Sequence, residues 1–297
     1  MSLSATYPLS TTDTRAYLAL AKPRLSSLVV FSAVIGYILA SDIEAINGWA
    51  LLAFGIGSFL ITASANTINQ IAERDLDKLM TRTCMRPLPT GRLSVTQAVL
   101  FTLVTGFAGL ALLMFFTNFL TVLFAFLSLV LYAFVYTPLK KVSNLAVPVG
   151  AIPGALPPLI GWIAVTGHLG VEAFILFAIQ FIWQFPHFWA IAWVLDDDYK
   201  KAGFRLLPGN GGRDVNTALQ IMIYTLWLIP FGLMPLFFGI SGPISALIAT
   251  LAGSFFLALT FHLMKDCSSK SAKRIMFASF IYLPVVQISF LLDKIGS

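Results

Sequence analysis

Charge is the first thing this chain of 297 residues lacks: Asp, Glu, Lys and Arg make up 11% of it, where a soluble domain carries about 25%. Against a hydrophobic content of 58% and a mean hydropathy of +0.86, that shortage excludes a soluble enzyme with a single anchor. Cysteine is nearly absent, and two residues cannot build a disulfide scaffold. Low-complexity disorder is excluded by 26 Phe, 8 Tyr and 6 Trp. What is abundant is apolar sequence, enough for roughly eight to ten membrane spans of about 20 residues each.

Apolar runs of spanning length place nine helices, near 25–41, 49–69, 97–116, 119–137, 145–165, 172–194, 218–239, 243–264 and 275–292. The fold class is therefore an all-α integral membrane protein, with one polytopic domain over 25–292 between a tail at 1–24 and a short tail at 293–297. Lys22 and Arg24, just before the first span, are expected to snorkel to the interface. Basic residues then set the orientation. The tail carries Arg15, Lys22 and Arg24; the second loop has Arg74, Lys78, Arg82, Arg86 and Arg92; the fourth has Lys140 and Lys141; the sixth has Lys200, Lys201, Arg205 and Arg213; the eighth has Lys265, Lys270, Lys273 and Arg274. Of the 19 basic residues only Lys294 falls on the other side, so the N-terminus is expected in the cytoplasm and the C-terminus across the membrane. The first 22 residues have neither a signal peptide's apolar core nor the Arg-rich pattern of a transit peptide, and a bacterial inner membrane is expected. Cys84 and Cys267 fall on the cytoplasmic side, where thiols stay reduced. The net charge of +6 sits beside membrane spans, so it points to topology and anionic lipid, with no nucleic acid as partner.

With so few charges, clusters of them carry information. If the second span continues as a helix, Asn69, Glu73 and Asp77 stand at i, i+4 and i+8 on one face, a stripe of oxygen ligands. Magnesium takes such ligands and commonly completes its shell with the phosphates of a substrate. Arg82 and Arg86 follow directly, and Lys140 and Lys141 lie on the next loop of the same side, supplying cations for phosphate oxygens. The competing reading is a solvated helix end in which Arg74 and Lys78 pair with Asp75 or Asp77. Asn69 is deeper, where an idle polar group is costly.

A second acidic cluster, Asp196, Asp197 and Asp198, ends the sixth span. Three adjacent carboxylates need lysines, water or a metal beside them. Since both clusters end spans on one side, two halves of one site facing a central cavity are expected. His187 lies two to three turns before Asp197, next to Pro186, either as a hydrogen-bonded core histidine or as a ligand. Trp189 and the aromatics around it either pack or line a cavity in which positive charge develops. His168 and His262 have no partners in sequence.

Together these residues resemble the UbiA-type intramembrane prenyltransferases, most closely the branch that farnesylates protohaem. The resemblance is carried by Asn69, Glu73 and Asp77 with Met80, Arg82-Thr83 and Arg86-Pro87-Leu88, by Tyr-Thr-Pro-Leu-Lys at 136–140, by residues 154–162 and 186–193, and by Asp198-Tyr199 with Ala202-Gly203 and Leu207-Pro208. It spans residues 17–292. Two departures stand out: Glu occupies position 73 where relatives generally have Asp, and no acid lies four residues after Asp196, Asp197 or Asp198.

The resemblance implies nine helices around a central cavity and transfer of farnesyl from farnesyl diphosphate to a vinyl group of haem b. With water addition this gives haem O and diphosphate, for haem–copper oxidase biogenesis. It implies Mg²⁺ on Asn69, Glu73 and Asp77, with Asp197 and Asp198 also catalytic, holding or positioning a second ion, Asp198 as a metal ligand. Arg82, Arg86, Lys140 and Lys141 would bind the diphosphate. His187 and Trp189 would contact the acceptor, His187 as iron ligand, propionate donor or water-orienting base. Farnesyl diphosphate, haem b, the bilayer and haem-oxidase assembly proteins are the implied partners. The rival readings are a related enzyme acting on an aromatic or quinone-precursor acceptor, a secondary transporter, for which acids near mid-membrane would be expected, and a non-catalytic haem chaperone.

Overall fold

The computed structural model describes residues 13–209 and 211–295, so the expected tails lie partly outside the described residues, at 1–12 and 296–297. Nine helices in the described residues are long and apolar enough to cross a membrane. In chain order the helices are α1 (Thr14–Ala21), α2 (Pro23–Ala40), α3 (Gly48–Asp77), α4 (Val95–Phe116), α5 (Phe119–Val130), α6 (Thr137–Leu139), α7 (Ala146–Thr166), α8 (Val171–Val194), α9 (Asp196–Lys201), α10 (Val215–Phe237), α11 (Pro243–Asp266) and α12 (Ser269–Leu292). Between α5 and α6 the chain runs as a π-helix over Leu131–Tyr136. All but the short α1, α6 and α9 match expected spans, and α5, the π segment and α6 together make one. Two differences matter: α3 runs on to Asp77 instead of stopping near residue 69, and the N-terminal tail contains the amphipathic α1.

Caps written into the loops start several helices. Ser94 and Gln97 form a reciprocal capping box on α4, and Asp214 and Ser268 accept from backbone amides at the starts of α10 and α12. Helices α7 and α8 form the centre, with 67% and 56% of their spans buried against 17% for α4. One apolar core joins α8 to α10, α11 and α12, and a second joins α7 to α2, α3, α4 and α5. Phe107, Phe115 and Phe126 stay exposed on the outer faces, as lipid contact allows.

Helix α7 holds three internal prolines, Pro153, Pro157 and Pro158. The missing amides of Pro157 and Pro158 leave the carbonyls of Pro153 and Gly154 without helical partners. Both are supplied from neighbouring helices: Ser128 Oγ donates to Pro153 O at 3.2 Å and Gln180 Nε2 to Gly154 O at 2.8 Å. Gln287 Nε2 donates to Gln180 Oε1, and Ser32 Oγ donates to Gln287 Oε1, so one polar chain ties α2, α12, α8 and α7 inside the bundle. The α2–α7 contact is close because Gly36 and Gly161 carry no side chain; a Cβ at either would overlap the partner backbone.

The charged loops gather at one end. Asp13 approaches Arg92, Lys140 pairs with Glu73, and Asp198 reaches Thr81. Lys294 lies at the opposite end, bonded to Ile38 O and Ser41 O.

Replacing Gly161 by Ala should lower the melting temperature in detergent, because overpacking costs about 1–3 kcal/mol. Gly55→Ala, where the added Cβ meets only Val30 and Val34 at 3.9 and 4.0 Å, should leave it unchanged or raise it. Equal effects at the two positions would remove the close-packing explanation.

Candidate functional site

The basic end of α3 buries its acids. Asn69 and Glu73 are buried, and Asp77 has no exposure at all. Their i, i+4, i+8 spacing aims all three away from the solvated edge of the helix, where Asp75 takes Arg74 and Lys78. The solvated-end reading thus holds for residues 74, 75 and 78, whereas Asp77 accepts from Arg86 Nη1 at 2.9 Å and 2.8 Å through its two oxygens. Arg86 is delivered by a loop anchored through buried Met80 and Leu88 and through Thr83 Oγ1, which donates to Asp77 O. Removing one partner of such a buried pair typically costs about 3–5 kcal/mol, since the other charge is stranded.

Glu73 forms an ion pair with Lys140 Nζ. Lys140 lies over the rings of Tyr136 and Phe204, at 4.9 and 5.5 Å from their centroids. The π-helical turn sets up Thr137: its Oγ1 donates to Tyr132 O at 2.9 Å and accepts from Asn69 Nδ2 at 3.2 Å. Because the threonine proton is already committed, the Asn69 amide must be the donor there, and its Oδ1 is left as the oxygen with no protein donor among the described residues.

Lys22 joins this group, contrary to the expectation that it snorkels outward. Pro23 disfavours the right-handed helix at the residue before it, and Lys22 adopts a left-handed conformation at φ 47°, ψ 64° between α1 and α2. Gln70 Nε2, donating to Leu20 O, and Asn66 Nδ2, donating to Ser26 Oγ, fasten this corner to α3. Desolvation and the neighbouring charges of Arg86 and Lys140 bring the Lys22 ammonium down to about 7, although Glu73 and Asp77 pull the other way. The Lys22-Pro23 pair was a visible signal for a chain break; the direction of the side chain was not.

The second acidic cluster is arranged differently from the expectation. Asp197 is exposed and pairs with Arg213 at 3.0 Å. Asp196 pairs with Lys200. Asp198 accepts from the amides of Thr81 and Arg82, at 2.8 and 3.1 Å, and from Lys201 at 3.1 Å. Partial burial raises its carboxyl, but those two amides and Lys201 outweigh that and hold it below the usual carboxylate range. Both Asp198 oxygens are therefore committed to fastening the 81–82 loop onto α9. Arg82 itself is exposed, and so is Lys141.

His187 is buried on α8, stacked on Trp183 with centroids 4.4 Å apart. Its Nδ1 lies 2.8 Å from Ser279 Oγ, and Ser279 Oγ donates to Met276 O. The serine must then accept from Nδ1–H, which leaves Nε2 as the ring's lone-pair nitrogen. Trp189, two residues and so about 200° further round the helix, packs against Phe185 and Tyr224 instead. The structure does not bring Trp189 and His187 together.

Among the described residues no group of three or more His, Cys, Asp and Glu side chains converges on a point. The α3 stripe nonetheless suits a hard cation whose shell is finished by a substrate. It offers an amide oxygen and two carboxylates, of which Glu73 meets Lys140 through Oε1.

Known proteins resemble this chain both in sequence and in fold. A protoheme IX farnesyltransferase of Cytophaga hutchinsonii is 54% identical over 283 residues, covering 95% of this chain and 98% of that protein. Among solved structures, the digeranylgeranylglyceryl phosphate synthase matches with a TM-score of 0.79 at 20% identity over 96% of this chain and 99% of that one. A UbiA homologue from Archaeoglobus fulgidus bound to GPP and Mg²⁺ matches with a TM-score of 0.65 at 15% identity, over 93% and 99%. Residues 29–283 match the model of the UbiA prenyltransferase family, and the chain belongs to that family.

Proposed function

We propose that this chain transfers the farnesyl group of farnesyl diphosphate to a vinyl group of haem b. The observation that carries the reading is the buried end of α3, where Asn69, Glu73 and Asp77 share one face closed by Lys22, Arg86 and Lys140. The acceptor is named from the close Cytophaga relative. Charge supports the assignment: once Lys22 is protonated, three cations face two carboxylates, an excess of one. A prenyl diphosphate carries about three negative charges near neutral pH, so it and one divalent ion would bring the cluster close to neutrality. Burial beside Arg86 and Lys140 disfavours the Lys22 ammonium until an anion arrives.

Asn69 Oδ1, Glu73 and Asp77 would hold Mg²⁺, which supplies positive charge where the leaving group develops. Arg86, Lys140 and Lys22 take up the charge on the departing diphosphate oxygen, which keeps the electron pair as the allylic C–O bond breaks. The vinyl group then attacks the farnesyl carbon, and the cation left beside the porphyrin ring takes water and releases a proton, giving haem O. Early water would give farnesol instead, so a site roofed by the 78–92 loop favours transfer. Asp198 is assigned to hold that loop, because two backbone amides fasten to it, whereas the partners of Asp77 and Glu73 are the cations that would also face the diphosphate. His187 acts through Nε2, as iron ligand or water-orienting base; a propionate-donor role conflicts with an Nδ1–H given to Ser279. Trp189 is assigned to core packing.

The basic face is placed in the cytoplasm of a bacterial inner membrane, with the N-terminus there and the C-terminus opposite. Haem O would pass to haem–copper oxidase assembly proteins.

Full-length protein in nanodiscs with farnesyl diphosphate, haem b and Mg²⁺ should form a product with the mass of haem O. Asp77→Asn should lower kcat by about 10²–10³-fold; unchanged turnover would remove the metal assignment. Lys22→Gly suits the left-handed backbone while deleting the charge, so melting should be preserved and KM for farnesyl diphosphate should rise about tenfold. A loss of folding with no change in KM would show Lys22 to be structural. Cys84 and Cys267, both partly exposed thiols, should react with an impermeant maleimide only from the cytoplasmic side; labelling from outside would invert the topology.

A further inference from the structure

A cavity of about 620 Å³ opens at the basic face between residues 140–144 and a second wall formed by residues 203–209 and Gly211, within the range that binds small molecules. Lys140, Lys141, Ser143, Asn144 and Arg205 line it, and among the described residues no carboxylate does. Its two walls are joined by Asn144 Nδ2, which donates to Gly209 O at 3.0 Å. Buried Phe204 and Leu207 anchor the second wall, and positive φ at Gly203, Gly209 and Gly211 lets it curl over Lys140. Lys140 belongs to both places: it lines the cavity while its Nζ pairs with Glu73. The cavity therefore adjoins the α3 site.

Lys141 and Arg205 form no ion pair among the described residues. The α3 cations are already matched to the diphosphate and its ion, so these two are surplus to leaving-group chemistry. Haem b brings a second pair of anions, its two propionates, on the side of the macrocycle away from the vinyls. A vinyl group that meets the farnesyl carbon at α3 must leave the propionates a ring's width away. Ionised carboxylates cannot be stranded in the apolar bundle.

We infer that this cavity is the acceptor's carboxylate subsite, with Arg205 and Lys141 holding the haem propionates. The expectation that Lys141 serves the diphosphate is replaced, since its side chain is exposed on the cavity side. This inference rests on haem b being the acceptor, and wild-type turnover of haem b tests that separately.

The test compares haem b with its dimethyl ester, in which both propionates are masked, using full-length protein in nanodiscs. Wild type should show a KM about tenfold higher for the ester than for haem b. Lys141→Gln/Arg205→Gln should raise KM for haem b about tenfold, leave KM for the ester unchanged and leave KM for farnesyl diphosphate unchanged. An equal rise for acid and ester, or no rise for either, overturns the proposal. A rise confined to farnesyl diphosphate assigns the cavity to diphosphate and also overturns it. Repeating the series in purely zwitterionic lipid separates propionates from lipid phosphate: a defect that vanishes there belongs to an anionic headgroup.

Discussion

Asp77 has no contact with solvent, and a carboxylate in that position survives only if a cation accompanies it into the interior. Arg86 is that cation, as Lys140 is for Glu73. These pairs fix the 78–92 loop and the start of the 140–144 turn over the end of α3, so the folded state itself demands the positive charges that a diphosphate needs. The cluster gains an excess of positive charge when Lys22 is protonated, at a corner where the backbone carries φ 47°. A left-handed lysine is costly, about 1–2 kcal/mol, and it persists because Gln70 and Asn66 hold both flanks to α3.

The same requirement for internal partners organises the middle of the bundle. Prolines in α7 free carbonyls that lipid cannot satisfy, and Ser128 and Gln180 satisfy them. Gln287 and Ser32 extend that chain to two more helices. Breaking α7 locally thus makes neighbouring helices necessary to one another, and it positions α8, which presents His187 on one side and Trp189 on the other. Ser279 on α12 then selects the imidazole tautomer, so a hydroxyl on a neighbouring helix decides which nitrogen can act.

Much of the site was legible. The i, i+4, i+8 spacing of Asn69, Glu73 and Asp77 required only a continuing helix, and Arg86 and Lys140 followed from shared sidedness. Less legible was anything that depended on partner choice. Asp198 was legible only as an acid of the second cluster; that two loop amides and Lys201 approach its oxygens depends on where the 81–82 loop folds. Lys22 looked like an interfacial lysine because its position relative to the span is visible while its direction is set by Pro23 and α1. Lys141 differs from Lys140 by one residue, but that step turns it from the α3 stripe to the neighbouring cavity.

Sequence alone determined the apolar spans, the placing of 18 of 19 basic residues in the N-terminal tail and alternate loops, and the oxygen stripe, because each depends on composition or on spacing along the chain. Tertiary structure decided which cation meets which acid, where Lys22 points, which nitrogen of His187 is bare, and that a basic cavity adjoins the stripe. Those outcomes arise between segments far apart in the chain, where burial makes each polar group compete for whichever partner the packed helices bring within reach.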